Sequence, residues 1–169
     1  YYHLTLLAED DAGYRNLIQL ASRAYMEGYY YKPRVDWETL AEHHEGVIAT
    51  TGCLGGHVLQ SLMNEGFDAA LEKAARLQDI FGRDNLFVEI QDHGIPEQHR
   101  TNPQLLEIAK KIQAPLLATN DSHYVHRGDA VAHDALLCVQ TASLMSDPNR
   151  FKFHGDEHYL KTAQEMRHL

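Results

Sequence analysis

The chain has 169 residues, of which 44% are hydrophobic and 23% are charged, a composition typical of one globular domain or of a piece of a larger one. Its formal net charge of −9, with histidine neutral, argues against a broad electrostatic clamp on nucleic acid. The apolar runs are far shorter than the roughly 20 residues that span a bilayer, so we expect no membrane partner. No secretory signal is visible, and two cysteines cannot form a disulfide framework. We therefore expect a cytoplasmic protein.

Short apolar runs alternate along the chain with segments of helical periodicity. The runs predict strands over residues 3–8, 46–51, 86–90 and 115–119. Apolar spacings of three and four predict helices over about residues 14–25, 36–41, 58–63, 68–81, 105–112 and 128–139, with Asp36 as an N-cap. This alternation predicts an α/β fold with a parallel sheet, and a barrel and an open doubly wound sheet both remain compatible with it.

The two ends of the chain carry less information. Tyr1 is not an initiator methionine, and the residues that follow it already have a strand-like pattern, so we expect a piece of a longer protein. The stretch over residues 143–169 has no clear periodicity, and no element is predicted there.

A pair of metal-ligand residue types follows the fourth predicted strand. Asp121 and His123 are two residues apart, so an extended backbone would turn both side chains to one side. A carboxylate oxygen and an imidazole could then contact one ion at the carboxyl end of the strand. The alternative is a turn cap beside a surface histidine.

Similar residue types lie near the ends of the other predicted strands. Cys53 follows the second strand in a glycine-rich turn, Glu89 lies in the third strand, and His3 begins the first. Each has a structural alternative, since a free cysteine is usually a packing residue and a strand carboxylate can face solvent or an arginine. Their coincidence at one end of a sheet favours zinc or a similar metal. Of the 12 histidines, those in polar stretches, including His154 and His158, are expected to be solvated.

Five sequence blocks carry a resemblance to a known family. They are residues 28–34 (Gly-Tyr-Tyr-Tyr-Lys-Pro-Arg), 51–56 (Thr-Gly-Cys-Leu-Gly-Gly), 89–94 (Glu-Ile-Gln-Asp-His-Gly), 118–124 (Ala-Thr-Asn-Asp-Ser-His-Tyr) and 132–138 (Ala-His-Asp-Ala-Leu-Leu-Cys). In this order and spacing they resemble the polymerase-and-histidinol-phosphatase (PHP) domain of bacterial DNA polymerase III alpha subunits. The resemblance implies that residues 1–142 form the later part of a distorted TIM-like (β/α)7 barrel with parallel strands. Residues 143–169 would then form the end of that domain and the connection toward the polymerase core.

The resemblance also implies a metal centre. The family holds up to three divalent ions with nine ligands, zinc being the first expectation and manganese or magnesium the alternatives. Four ligand positions match this chain: His3, Cys53, Asp121 and His123. The other ligands would precede Tyr1, so the chain alone is expected to be inactive. Glu89, Asp92 and His93 match motif residues near the site and are expected to support it or to contact substrate.

The implied activity is metal-dependent 3′–5′ exonuclease proofreading by phosphodiester hydrolysis, with Asp121, His123 and His93 as the catalytic residues. DNA polymerisation would belong to another part of the parent chain. The implied partners are DNA, through the parent polymerase, and further holoenzyme subunits such as a sliding clamp or a proofreading subunit. Two alternatives are a metal-free PHP scaffold that supports the polymerase and a stand-alone PHP phosphoesterase acting on a small phosphate.

Overall fold

The computed structural model describes residues 1–169. The chain divides into two compact units, one made of residues 1–90 and 101–117 and the other of residues 91–100 and 118–169. None of its helices combines the length and the apolar character that a membrane-crossing segment needs. The elements in chain order are β1 (Leu6–Ala8), α1 (Asp11–Met26), α2 (Trp37–Glu42), β2 (Val47–Thr50), α3 (His57–Asn64), α4 (Phe67–Phe81), β3 (Leu86–Ile90), α5 (Pro96–Ile112), β4 (Leu116–Ala118), a 3-10 turn at Arg127–Asp129, α6 (Ala130–Thr141) and α7 (Ala163–Met166).

The four strands form one sheet in the order β1-β2-β3-β4. β2 and β3 are parallel, with Ala49 opposite Leu86. β1 runs antiparallel to β2, with Leu6 opposite Ala49. The prediction of a parallel direction for the first strand is therefore wrong. The connection over residues 9–46 is several times longer than one crossover needs, so alternation of strand and helix does not determine the direction of pairing. The fold is α/β with a mixed sheet.

Apolar burial explains why these segments form a layered structure. Val47 and Ala49 in β2 are fully buried, as are Leu86 and Val88 in β3. This two-residue period is that of strands whose inward faces are covered. The helices contribute the other side of the core through Val58, Leu59, Leu62, Ala70, Ala74, Leu77, Leu105 and Ile108. This core holds the strand ends from which the first pair of candidate ligands extends.

Several predicted boundaries agree with the structure, and one differs strongly. β3 covers the predicted residues, and the Asp36 carboxylate accepts a hydrogen bond of 2.8 Å from the amide of Thr39, as expected for an N-cap. α5, however, begins at Pro96 rather than near Leu105. Proline is favoured in the first helical turn. The first turns of α5 are polar, so they show no apolar period that would mark the start.

In the second unit, part of the stretch without predicted structure runs beside the loop that follows β4. The His123 amide donates to the carbonyl of His158 at 2.8 Å, and the Leu160 amide donates to the carbonyl of Tyr124 at 3.0 Å. These main-chain bonds join segments that are far apart in sequence. The division at 142/143 stays a prediction, although α6 ends there with Ala142 in the left-handed conformation.

Candidate metal centre

His3 and Cys53 lie together in the first unit. Cys53 Sγ is 3.9 Å from Nδ1 of His3, and the His3 amide donates to the carbonyl of Gly55 at 3.0 Å. His3 is exposed and Cys53 is half-buried, so both side chains are accessible to an ion. The structure thus brings together two of the four predicted ligands that are 50 positions apart.

The turn that carries Cys53 depends on glycine. Gly52 has a φ of +80°, a conformation that residues with a Cβ rarely adopt. A Cβ on Gly56 would lie 2.5 Å from the carbonyl oxygen of Thr51. The Gly56 amide closes the turn by donating to the carbonyl of Cys53 at 2.7 Å. The glycines therefore set where the thiol stands at the end of β2.

Glu89 is a buried carboxylate held between β2 and β3. The residue is 7% exposed, and the Thr50 hydroxyl donates to its Oε2. The Glu89 amide donates to Oγ1 of Thr51 at 3.0 Å. A buried carboxylate needs such partners, and these contacts tie it to the strand that precedes Cys53. The supporting role expected for Glu89 stays a prediction.

Asp121 and His123 lie in the second unit on a bend with unusual backbone geometry. Asp121 has a φ of +42°, in the left-handed region that aspartate tolerates better than most residues. Nδ1 of His123 lies 2.7 Å from the carbonyl oxygen of Asp121 and 3.9 Å from its carboxylate Oδ1. A carbonyl oxygen only accepts, so Nδ1 carries the hydrogen and Nε2 keeps its lone pair. This is the tautomer in which a histidine can bind a metal through Nε2.

His158 joins this pair, contrary to the prediction that it is solvated. Its residue is 6% exposed, and its ring stacks on that of His93 with centroids 3.9 Å apart. One ligand atom each from Asp121, His123 and His158 lie within 4.8 Å of one another. Burial, together with the nearby His93, lowers the pKa of His158 to about 4, so the ring is neutral at pH 7. No periodicity marks residues 143–169, and sequence reasoning therefore missed this residue.

Asn120 fixes His158 beside the Asp121 loop. Its side-chain amide donates to the carbonyls of Glu157, at 2.9 Å, and Tyr159, at 2.7 Å. Its Oδ1 accepts from Nζ of Lys161 at 3.0 Å. Its own carbonyl accepts from Nε2 of His93 at 2.8 Å. Asn120 is 8% exposed, so these buried bonds hold residues 157–161 against the candidate ligands.

His93 is buried, and both of its ring nitrogens are engaged. Nε2 donates to the carbonyl of Asn120, and Nδ1 accepts from the side-chain amide of Gln98 at 2.8 Å. The amide of His93 in turn donates to Oε1 of Gln98 at 2.8 Å. Such a ring is rigidly oriented and has no nitrogen available in this arrangement. The catalytic role of His93 stays a prediction.

Asp92, the residue before His93, forms hydrogen bonds that stabilise the local turn. Its Oδ1 accepts from the amide of Gly94 at 2.9 Å and lies 3.0 Å from Nε2 of His99. Burial raises the pKa of Asp92, but the bonds from Gly94 and His99 outweigh burial and lower it overall. The carboxylate is therefore ionised near neutral pH and caps the turn that carries His93.

The donor types suit a transition metal. One unit offers a thiol and an imidazole, and the other offers a carboxylate with two imidazoles. Zinc binds sulfur, nitrogen and carboxylate oxygen in such mixed sets. The residues present therefore fit the metal that the resemblance implies. Convergence of all four predicted ligands on one centre stays a prediction.

Comparison with known proteins identifies the family. The model of the PHP domain family matches residues 1–93. DNA polymerase III subunit alpha of Deinococcus radiodurans is 52% identical over 98% of this chain, and that of Thermus aquaticus is 50% identical over 99%. The chain spans 12% and 14% of the length of these two relatives. Since the family model covers more than half of the chain, the chain belongs to the PHP domain family and corresponds to the PHP-domain portion of DNA polymerase III alpha subunits.

Proposed function

We propose that this chain is part of a metal-dependent phosphoesterase centre in a DNA-directed DNA polymerase of bacterial chromosome replication. The centre would hydrolyse the phosphodiester bond of a mismatched 3′ end. The observation that carries the proposal is the Asp121–His123 bend, which offers a carboxylate and an imidazole lone pair at one accessible place. We further infer that the mixed sheet is a section of a distorted (β/α)7 barrel.

Four residues are proposed to hold up to three divalent ions: His3, Cys53, Asp121 and His123. The proximity of the Cys53 thiol to the His3 imidazole supports the first pair. Zinc is favoured by the thiol, with manganese and magnesium as alternatives. A bound ion of this kind would supply hydroxide near neutral pH and would neutralise charge on the phosphate.

The chain's own residues would orient the site and move protons. Asp121 has two carboxylate oxygens and so can contact two ions, whereas each imidazole contacts one. The proton of the attacking water would pass to an imidazole, for which His123 and His93 are the candidates. The hydrogen bonds on both nitrogens of His93 favour a supporting role for that ring. His123 would accept the proton on Nε2 only while that nitrogen holds no ion, because its Nδ1 carries the hydrogen that faces the Asp121 carbonyl.

The proposed partners are DNA and further subunits of the polymerase holoenzyme. The segment has a net charge of −9, so phosphate would be engaged through the bound cations. Basic surfaces elsewhere in the parent polymerase would hold the DNA. Further holoenzyme subunits, such as a sliding clamp or a proofreading subunit, are proposed partners of the whole polymerase.

The test is degradation of a mismatched primer by the intact protein that carries this chain. Asp121→Asn should reduce 3′–5′ degradation by at least about 100-fold, because even residues that only support metal ligands contribute 10- to 100-fold. Primer extension should be retained. Asp68→Asn, an exposed position in the first turn of α4, is the matched control. Full degradation by Asp121→Asn, or none by the wild type, would contradict the proposal.

A metal-free scaffold is the second candidate. It is favoured by the exposed apolar side chains of α6 and of the residues after it, namely Val131, Leu136, Val139 and Leu144. Metal content separates the two, since a scaffold purifies without stoichiometric metal and its Asp121→Asn variant behaves like the wild type. A stand-alone phosphoesterase is disfavoured by the length of the relatives, of which this chain spans 12–14%.

A further inference from the structure

We propose that His158 is a third metal ligand beside Asp121 and His123. The proposal rests on the metal-dependent function above and adds to it a residue from outside the sequence motifs. It also assigns a purpose to the segment over residues 157–161, which brings this imidazole to the bend after β4.

The first argument is the state of the two imidazoles. Nδ1 of His123 and Nδ1 of His158 face the same acceptor, the carbonyl oxygen of Asp121, at 2.7 and 3.3 Å. Because a carbonyl only accepts, both rings carry their hydrogen on Nδ1 and keep the lone pair on Nε2. Histidines that bind metals show this pattern, with the far nitrogen donating to a carbonyl or a carboxylate. One main-chain oxygen thus sets the ligand tautomer of two rings.

The second argument is that the His158 ring is already oriented. It stacks on His93 with planes 16° apart, and the edge of Phe153 contacts it with centroids 4.8 Å apart. The carbonyl of His158 accepts from the amide of His123 at 2.8 Å, which ties the two ligand residues together through the main chain. A donor held by packing and hydrogen bonds loses little freedom when an ion binds.

The third argument is the composition of the cluster. One carboxylate oxygen and one ring nitrogen of each of the two imidazoles lie within 4.8 Å of one another. Metal–ligand bonds are about 2.0–2.2 Å long, so the exposed Asp121 and His123 side chains would rotate to place the carboxylate and the Nε2 lone pair on one ion with His158. The side chains of Asp121 and His123 remain 44% and 35% exposed. Three protein ligands with an open side are typical of catalytic rather than structural zinc. Two imidazoles select a transition metal over magnesium or calcium.

The test distinguishes a ligand from a residue that only supports the ring of His93. His158→Phe keeps an aromatic ring for the stack and removes the nitrogen. His154→Phe makes the same change at an exposed histidine four residues earlier in the chain. Zinc affinity and stoichiometry are measured in the intact protein by competition with a chelator. We expect the His158 variant to bind one zinc at least roughly 10- to 100-fold more weakly and the His154 variant to bind it normally.

Unchanged zinc affinity in His158→Phe overturns the proposal. Asp121→Asn is measured in parallel. If Asp121→Asn loses zinc and His158→Phe does not, the metal-dependent function stands and the third ligand fails. If neither variant loses zinc, the proposed function fails as well.

A second measurement uses only the wild-type protein, so it does not depend on whether a variant folds. Zinc-edge anomalous diffraction from crystals of the wild-type protein locates the ion directly. We expect a peak about 2.0–2.1 Å from Nε2 of His158. A peak bonded to Asp121 and His123 but beyond bonding distance of His158 overturns the proposal, as does a map without zinc at this cluster.

Discussion

Replacing Asn120 by alanine tests the idea that buried polar bonds hold the candidate site together. The side chain of Asn120 donates to two main-chain carbonyls and accepts one bond from the ammonium of Lys161. Each buried bond contributes about 1 kcal/mol, and a bond to a charged group contributes somewhat more. Lys161 also contacts the Glu157 carboxylate at 3.0 Å, which reduces the loss. Asn120→Ala should therefore weaken the attachment of residues 157–161 by about 3 kcal/mol.

Hydrogen exchange measures this attachment locally in the intact protein. The amides of His123 and Leu160 bridge the two segments, so peptides containing them report on separation of the segments. A loss of about 3 kcal/mol corresponds to exchange that is roughly 100-fold faster. The exposed Asn149 provides the control variant, Asn149→Ala. Exchange within a factor of about three of that control would refute the role of Asn120 and show that the main-chain bonds suffice.

Three further predictions concern other parts of the site. Gly56→Ala should destabilise the first unit by about 1–3 kcal/mol, because the added Cβ would lie 2.5 Å from a backbone oxygen. Gly128→Ala is the control: open space surrounds that position, so thermal unfolding should show almost no change in stability. Saturating zinc should slow alkylation of the Cys53 thiol by about tenfold or more. The buried Cys138 is the control and should react slowly with or without zinc. Equal alkylation rates of Cys53 in the presence and absence of zinc would exclude Cys53 as a ligand. Burial lowers the pKa of His158 from 6.5 to about 4, so between these values only the unfolded chain takes up this proton. Stability of the metal-free protein should fall by up to about 3 kcal/mol as pH drops through that window, and less in His158→Phe, as measured by urea unfolding.

The sequence was sufficient where local chemistry determines structure. β3 could be predicted from a run of five residues, and α2 from the N-cap Asp36 and its apolar period. The direction of β1 could not be predicted, because it depends on how a long connection returns to the sheet. The start of α5 was equally hidden, since its first turns carry polar residues that give no period.

The candidate site was predictable in part for the same reason. Asp121 and His123 are close in sequence, so their proximity is a local property of the chain. His158 reaches them through contacts between segments that are far apart in sequence, including bonds from the Asn120 side chain and to main-chain carbonyls across 37 positions. Every residue has a main-chain acceptor, so the residue types in a sequence do not predict which segments will form such a contact. A buried histidine in a polar stretch therefore looks like a solvated one until the tertiary structure is known.

Several histidine rings of the chain lie close together in the second unit. The rings of His93 and His158 stack at 3.9 Å, and His123 lies 5.7 Å from His158 and 5.5 Å from His133. Protonated rings at these separations would repel one another. Burial lowers the pKa of both His158 and His133, and a neighbouring histidine lowers each further. His158 and His133 are therefore neutral at pH 7. Neutral imidazole is also the form that binds a metal, so the packing that lowers the pKa of His158 keeps that ring in its metal-binding form.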